Sequence, residues 1–289
     1  MEANPLVLGT AQFGSTYGIT NQKGEIDRSE AFSILSTAWD YGIRWFDTAS
    51  GYNSEGILGE FVTAHGLRSN INVTTKVAKL SDHDNWGERL EDSIAKSFSN
   101  LKCDKIRTLF LHSPTDAPLL QSKTDTFLNV LEKWPIEDIG VSVYDPFEIL
   151  DSLPLGRPLA YQFPYNLLDK RFCTVDFMGG KRFARSTFLQ GLLAPRGYLQ
   201  GSAPATLVKF YEEYHQYLKS EKLSALSMAL SFTRLATMCD YVLVGVTSIA
   251  ELTEIIRTSV SLSEATRADQ ILAELRPFPE WIINPRQWN

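Results

Sequence analysis

Cysteine is scarce in this chain and poorly placed for cross-linking. Cys103, Cys173 and Cys239 are odd in number, far apart, and form no CxxC. That argues against a disulfide framework or a structural zinc site and suits a reducing compartment. Long apolar runs are missing too: nothing approaches the roughly 18 residues needed to span a membrane. The opening MEANPLVLGTAQFG has neither the basic segment nor the apolar stretch of a secretory leader. A cytoplasmic protein without a membrane partner is expected. Positive charge is not in excess, since the formal net charge is −6. That disfavours nucleic-acid binding by bulk electrostatics, although an anionic cofactor needs only local cations and backbone amides. No metal is expected.

What is present is an alternation of short apolar runs with longer amphipathic ones. Strands are predicted at 6–9, 44–47, 72–76, 108–112, 138–142, 160–163, 182–186 and 241–245. Helices are predicted at 27–41, 54–64, 86–101, 124–134, from 146 through 150, and at 205–219, 224–238, 249–260 and 263–275. Asp27 is a candidate N-cap with Glu30 three residues on, and Gly66 a candidate helix stop. The tail RPFPEWIINPRQWN reads as irregular. Strands alternating with helices imply a parallel sheet of βαβ units. Eight of them, with no GxGxxG after the first strand, point to a closed (β/α)8 barrel rather than an open dinucleotide-binding sheet. No low-complexity linker divides the chain, so residues 1–289 are expected to form one unit; 195–205 reads as a surface loop.

In such a barrel the carboxyl ends of the strands converge on one face, where active sites lie. Asp47, Tyr52, Lys76 and His112 follow the second, third and fourth strands. A carboxylate, a phenol, an ammonium and an imidazole would meet there. An ammonium favours a phenolate, so Lys76, held by Asp47, is expected to make Tyr52 more acidic. Tyr52 would then protonate a carbonyl oxygen while His112 orients it. Lys79 rivals Lys76, and each residue taken alone reads as easily as ordinary packing.

The run IRWFDTASGYNSEGILGEF, with INVTTKV and LFLHSP, closely resembles the aldo-keto reductase family. LVLGTAQFG, GVSVYDPFEIL, YQFPYNLLD, RSTFLQGLL and YVLVGVTSIAEL extend the likeness through most of the chain. The resemblance implies a (β/α)8 barrel that binds NADP(H), with NAD(H) as the alternative, and transfers a hydride between nicotinamide and a carbonyl or alcohol. It implies Asp47, Tyr52, Lys76 and His112 as the catalytic set. Gly9 and Thr10 would open the cofactor cleft. Ser142 and Gln162 would bind the carboxamide, and Asp47 would lie near the ribose. Arg185 would lie under the nicotinamide, where many members place an aromatic ring. Ser186, Phe188 and Gln190 would follow the pyrophosphate. Gly245, Thr247 and Ser248 would receive a phosphate, although Ser248 reads equally as an N-cap.

Three positions depart from the family's pattern: Val143 replaces an Asn, Glu251 an Arg, and Ile255 an Asn or Glu. Glu251 would repel a 2′-phosphate or bind a 2′-hydroxyl, which weakens any preference for NADP. The one nearby cation is Arg257.

Phe13, Tyr17, Tyr144, Tyr165 and Trp281 are candidates for the substrate pocket, with Trp288 beside them. Trp281 and Trp288 read equally as anchors of the C-terminus. Asn21, Gln22, Asn53 and Asn166 would suit hydroxyl groups, so an aldehyde, ketone or sugar-like polyhydroxy carbonyl is the expected partner. The alternatives are a slow cofactor-binding regulatory protein on the same barrel, and a redox-assisted isomerase or epimerase. The chain would act as a monomer or small homo-oligomer.

Overall fold

The computed structural model describes residues 4–14, 24–150, 158–194, 203–275 and 279–288. Eight parallel strands close into a barrel in sequence order: β1 (Leu6–Gly9), β2 (Trp45–Asp47), β3 (Asn72–Val77), β4 (Ile106–Leu111), β5 (Ile136–Ser142), β6 (Ala160–Pro164), β7 (Arg182–Arg185) and β8 (Tyr241–Gly245). Gly9 pairs with both Asp47 and Gly245, which shuts the ring. The helices are α1 (Arg28–Asp40), α2 (Glu55–Ala64), α3 (Trp86–Leu101), α4 (Ala117–Ser122), α5 (Thr124–Leu131), α6 (Ala205–Ser220), α7 (Ala225–Arg234), α8 (Ile249–Arg257) and α9 (Leu262–Leu275). All eight expected strands are there, within about two residues of the expected ends. None of the described helices is long and apolar enough to cross a membrane, and no disulfide joins the three cysteines.

Period-two alternation decides what each strand contributes. Along β3, Thr75 faces outward and donates to Glu55 of α2, whereas Thr74 and Lys76 face inward and donate to Asp47. Along β2, Phe46 packs on Phe61 of α2, and Trp45 and Asp47 face inward. The amino end of the lumen is filled by Trp45, Phe110, Phe183 and Tyr241, with neighbouring ring centroids 4.5 to 6.1 Å apart. Gly140 makes room for this plug, since a Cβ there would lie 2.5 Å from the Phe110 ring and 2.4 Å from the Ala160 carbonyl oxygen. Among the described residues, this plug fills the amino end of the lumen, and the carboxyl end is where Asp47, Lys76 and Gln162 face inward.

Local signals behave as their chemistry requires. Asp27 accepts from the amides of Ser29 and Glu30 and caps α1. Gly66 takes φ +63° just past α2, a conformation open to glycine without strain. The helix expected from 146 is a single 3₁₀ turn, Pro146–Glu148, after which Ile149 is extended. The amide of Leu150 donates to the Tyr161 hydroxyl at 3.3 Å instead of continuing the helix, so a tertiary contact overrides the local signal. The tail is not irregular: Glu280–Ile283 and Pro285–Gln287 are 3₁₀ turns.

Candidate active site

Asp47 is the hub of the mouth. Its Oδ2 accepts from Lys76 Nζ at 2.6 Å, and its Oδ1 accepts from Thr74 at 2.7 Å and from Gln162 Nε2 at 2.8 Å. Lys76 also donates to the Thr48 carbonyl at 2.9 Å. Asp47 and Lys76 are 4% and 1% exposed. A buried pair of this kind holds only because each charge has further polar partners. Lys79 is elsewhere, paired with Asp82 at the surface.

Tyr52 follows β2, with its ring centroid 5.2 Å from Lys76 Nζ and 5.7 Å from the His112 ring, edge to face. Among the described residues, the hydrogen bonds of Lys76 are to Asp47 and the Thr48 carbonyl, not to Tyr52. The expected acidification of Tyr52 is therefore absent. Burial, and next the negative charge of Asp47, push the phenol above its usual range. Lys76 is itself pushed down, chiefly by burial. His112 is depressed to about 4, first by burial and then by Lys76. At neutral pH the site holds a protonated phenol and a neutral imidazole.

His112 gives the fold a pH signature. Its folded value of about 4 lies below the ordinary 6.5, so between those values the unfolded chain binds the extra proton. Stability from this group is present above about pH 6.5 and falls as pH drops toward 4, by on the order of 3 kcal/mol. His215 is also lowered by burial and adds to the same trend. Urea midpoints between pH 7 and 4.5 should fall less steeply for His112→Gln than for the wild type. Equal slopes would mean that His112 is not held neutral.

The loop after β1 buttresses Tyr52. Thr10, fully buried, donates to the Asp47 carbonyl at 3.0 Å and meets Ser54 Oγ at 2.8 Å. Gly14 lies so close that a Cβ would stand 1.9 Å from the Tyr52 carbonyl oxygen and 3.0 Å from Asn53 Cβ. Gly14→Ala should displace Tyr52 and lower kcat by about 100-fold with the circular dichroism spectrum retained. Wild-type kcat in that variant would show that Tyr52 need not be positioned so closely.

The remaining expected residues divide into those at the mouth and those in the core. Ser142 and Gln162 are register partners on β5 and β6, both buried. Gln162 donates to Asp47, and its carbonyl oxygen and the Ser142 hydroxyl have no partner among the described residues. Gln12 has a buried carbonyl oxygen without a hydrogen bond, and its amide lies where a Cβ on Gly245 would be, 2.3 Å away. Acceptors and a hydroxyl left open in this way fit a ligand with amide and ribose hydroxyl donors. Past β7, Ser186, Leu189 and Gln190 take φ of +62°, +45° and +54°. Such backbone is unusual for side-chain-bearing residues, and it clusters at functional loops. Phe188 is buried beside them. Past β8, Ser248 caps α8, accepting from the Glu251 amide, while Glu251 folds back to accept from the Thr247 amide and hydroxyl, both at 2.8 Å. Ile255 is buried in the core.

Arg185 does not lie free at the mouth. Its guanidinium stacks on Tyr144, 3.9 Å from the ring centroid, and donates to the Val143 carbonyl at 2.9 Å. Phe13 and Tyr165 are buried, Tyr165 against Phe232 at 4.9 Å. Asn166 uses its oxygen on the amides of Leu168 and Asp169 and its nitrogen on the Ser186 carbonyl, so it is not free for a substrate hydroxyl. Trp288 is buried and donates to the carbonyls of Trp281 and Ile282, anchoring the tail, while Trp281 is half-buried on the core. Tyr17, Asn21 and Gln22 lie outside the described residues. Thr74, Gln12, Gly14 and Arg286 also stand at the mouth or against its residues, though no sequence motif singled them out. Thr74 was findable, because it has the same inward parity as Lys76. Arg286 was not, because it sits in a tail without periodicity.

Known proteins resemble this chain in sequence and in fold. The sequence pattern of the Aldo/keto reductase family matches residues 5–272. Protein tas of Escherichia coli is 23% identical, with 95% of this chain and 94% of that protein aligned. Norsolorinic acid reductase stcV of Emericella nidulans is 25% identical over 49% of this chain and 40% of its own length. With several curated relatives the match spans only about half their length or less, as with 56% of a probable potassium channel beta subunit of Arabidopsis thaliana. Among solved structures, the holo form of aldo-keto reductase AKR11C1 from Bacillus halodurans superposes with a TM-score of 0.74 at 20% identity, covering 96% of this chain and 95% of that one. The glycerol dehydrogenase AKR11B4 from Gluconobacter oxydans superposes with a TM-score of 0.71 at 19% identity, covering 95% of this chain and 93% of that one. These superpositions speak to the barrel, and the family pattern runs through every strand whose carboxyl end supplies the mouth. From both together, the chain belongs to the aldo/keto reductase family.

Proposed function

We propose that this chain, working as one unit, is a nicotinamide-dependent carbonyl reductase with Tyr52 as its proton donor. The observation that carries the reading is a buried Asp47–Lys76 pair at 2.6 Å beside Tyr52, with His112 against the same ring, at the carboxyl end of the barrel. When bound, the dinucleotide supplies the hydride. Ser142, Gln162 and Gln12 offer the open polar groups to hold it, with the loops 186–190 and 245–248 along its length.

Tyr52 delivers its phenolic proton to the carbonyl oxygen. Its raised value keeps it protonated across neutral pH, which suits an acid more than a base. Lys76 faces the phenolate that proton transfer leaves behind and stabilises it electrostatically, while Asp47 fixes Lys76. His112, neutral, hydrogen-bonds the substrate oxygen and aims it at Tyr52. The reductase names of several relatives support this reading. The decisive comparison is carbonyl-dependent oxidation of NADPH or NADH by the wild type and by Tyr52→Phe.

The preference between cofactors is weak on this reading. NADP(H) is the family's usual partner, but the Glu251 carboxylate occupies the Thr247 amide and hydroxyl, donors that a phosphate would otherwise use. Glu251→Gln keeps an acceptor for Thr247 and removes the charge. It should raise the ratio of NADPH to NADH affinity about fivefold, the worth of roughly 1 kcal/mol of repulsion, as read by tryptophan fluorescence. An unchanged ratio would place the 2′-phosphate away from Glu251.

A further inference from the structure

Two guanidinium groups converge on one ring at the mouth. Arg286, from the anchored tail, stacks over the Tyr144 ring, 3.3 Å from its centroid. Arg185 stacks on the same ring at 3.9 Å. Tyr144 is half-buried and Arg286 is exposed. The positive charges of both reach Tyr52's neighbour His112. Neither arginine meets a carboxylate among the described residues, whereas Arg107, Arg171 and Arg182 each do. Stacking on a ring orients a guanidinium without neutralising it. Arg185 also donates to the Val143 carbonyl and the Ser186 hydroxyl, so the open N–H edges are chiefly those of Arg286.

The charge balance sharpens the point. Lys76 is paired with Asp47, and Tyr52 and His112 are neutral at pH 7, so Arg185 and Arg286 are the cations stacked on Tyr144. The carboxylates nearest its backbone are engaged elsewhere, Asp145 by Arg171 and Glu148 by the amides of Tyr144 and Asp145. The Tyr144 phenol is pulled below its usual range by Arg185 first, with Arg286 adding to it. The site therefore favours a negative charge at this position.

We propose that the natural substrate carries a carboxylate or phosphate, bound by Arg286 and Arg185 at Tyr144, so that its carbonyl end reaches Tyr52 and His112. This rests on the reductase reading and narrows its substrate class from carbonyl compounds at large to anionic ones. The tail turn Pro285–Gln287, held by Trp288 and by Asn284 accepting from the Arg286 amide, presents Arg286 as a specificity residue.

The test compares paired probes that differ in charge: glyceraldehyde 3-phosphate against glyceraldehyde, and D-glucuronate against D-glucose. The wild type should favour the charged member in kcat/KM by about 10- to 100-fold, as hydrogen bonds to a charged group imply. Arg286→Ala should erase most of that ratio, Arg286→Lys should restore part of it, and Arg44→Ala, on the exposed amino end of β2, should leave it intact. Whichever pair prevails tells carboxylate from phosphate. Equal turnover of charged and neutral probes would overturn the anionic substrate and leave the reductase standing. A second measurement needs no turnover: 3-phosphoglycerate binding, read by tryptophan fluorescence, should weaken at least tenfold in Arg286→Ala. If NADPH binding weakens equally, the guanidinium serves the cofactor and the proposal fails. If 3-phosphoglycerate does not bind the wild type, it fails as well. Loss of cofactor-dependent turnover for every probe, with 3-phosphoglycerate still bound, would overturn the reductase reading alone.

Discussion

Tyr52→Phe is expected to reduce carbonyl turnover by about 10²- to 10⁴-fold, the usual worth of a positioned general acid. Nicotinamide-cofactor affinity should stay within about twofold and the fold should be unchanged. The Phe ring keeps its edge-to-face contact with His112 and its place near Lys76, and only the hydroxyl with its dissociable proton is lost. Because burial holds that proton on the phenol well above neutral pH, the wild-type reduction rate should be flat through pH 7. Near-native kcat in Tyr52→Phe would sink the mechanism. Loss of cofactor binding along with turnover would instead point to a structural role for the hydroxyl.

The second large effect concerns the Asp47–Lys76 pair. Lys76→Met should cost about 3–5 kcal/mol, because it strands a buried carboxylate; for a chain of this size that is a fall in melting temperature of roughly 10 °C. Asp47→Asn should cost less, since burial already pulls Lys76 toward its neutral form and an amide oxygen can still accept from Thr74 and Gln162. The double variant leaves no charge behind and should recover much of the stability lost in Lys76→Met. All three should be nearly inactive, since none retains a cation facing Tyr52 with a carboxylate to hold it. Thermal melts and kcat on the three variants close the cycle. Simple additivity of the two stability losses would mean that the groups do not interact as a buried pair.

These two predictions draw on features of different visibility. The eight strands were readable because each is a short apolar run bounded by turn residues, and the strict period of two carries Asp47, Lys76 and Gln162 inward once the barrel closes. Asp27 as a cap and Gly66 as a stop were readable because capping is local chemistry. The motif around Asp47 and Tyr52 is readable as a family likeness because its residue types and spacing lie within one short stretch of chain.

The shortcomings of the sequence reading share one cause. Whether Lys76 would acidify Tyr52 depends on what its ammonium bonds, and its two hydrogen bonds go to Asp47 and the Thr48 carbonyl. Desolvation then dominates, a quantity with no sequence pattern. Helix 146–150 failed because Tyr161, eleven residues on, offers Leu150 a better acceptor. Gly14 looks like any loop glycine until the Tyr52 carbonyl is found against it. Arg286 stands 142 positions from Tyr144 in a tail without periodicity, and Trp288, buried against the core, brings the two together. Residue types and their spacing thus established the barrel and the chemistry available at its mouth. Long-range packing set the protonation of that chemistry and the charge that surrounds it, because burial and through-space distance act between residues far apart in the chain.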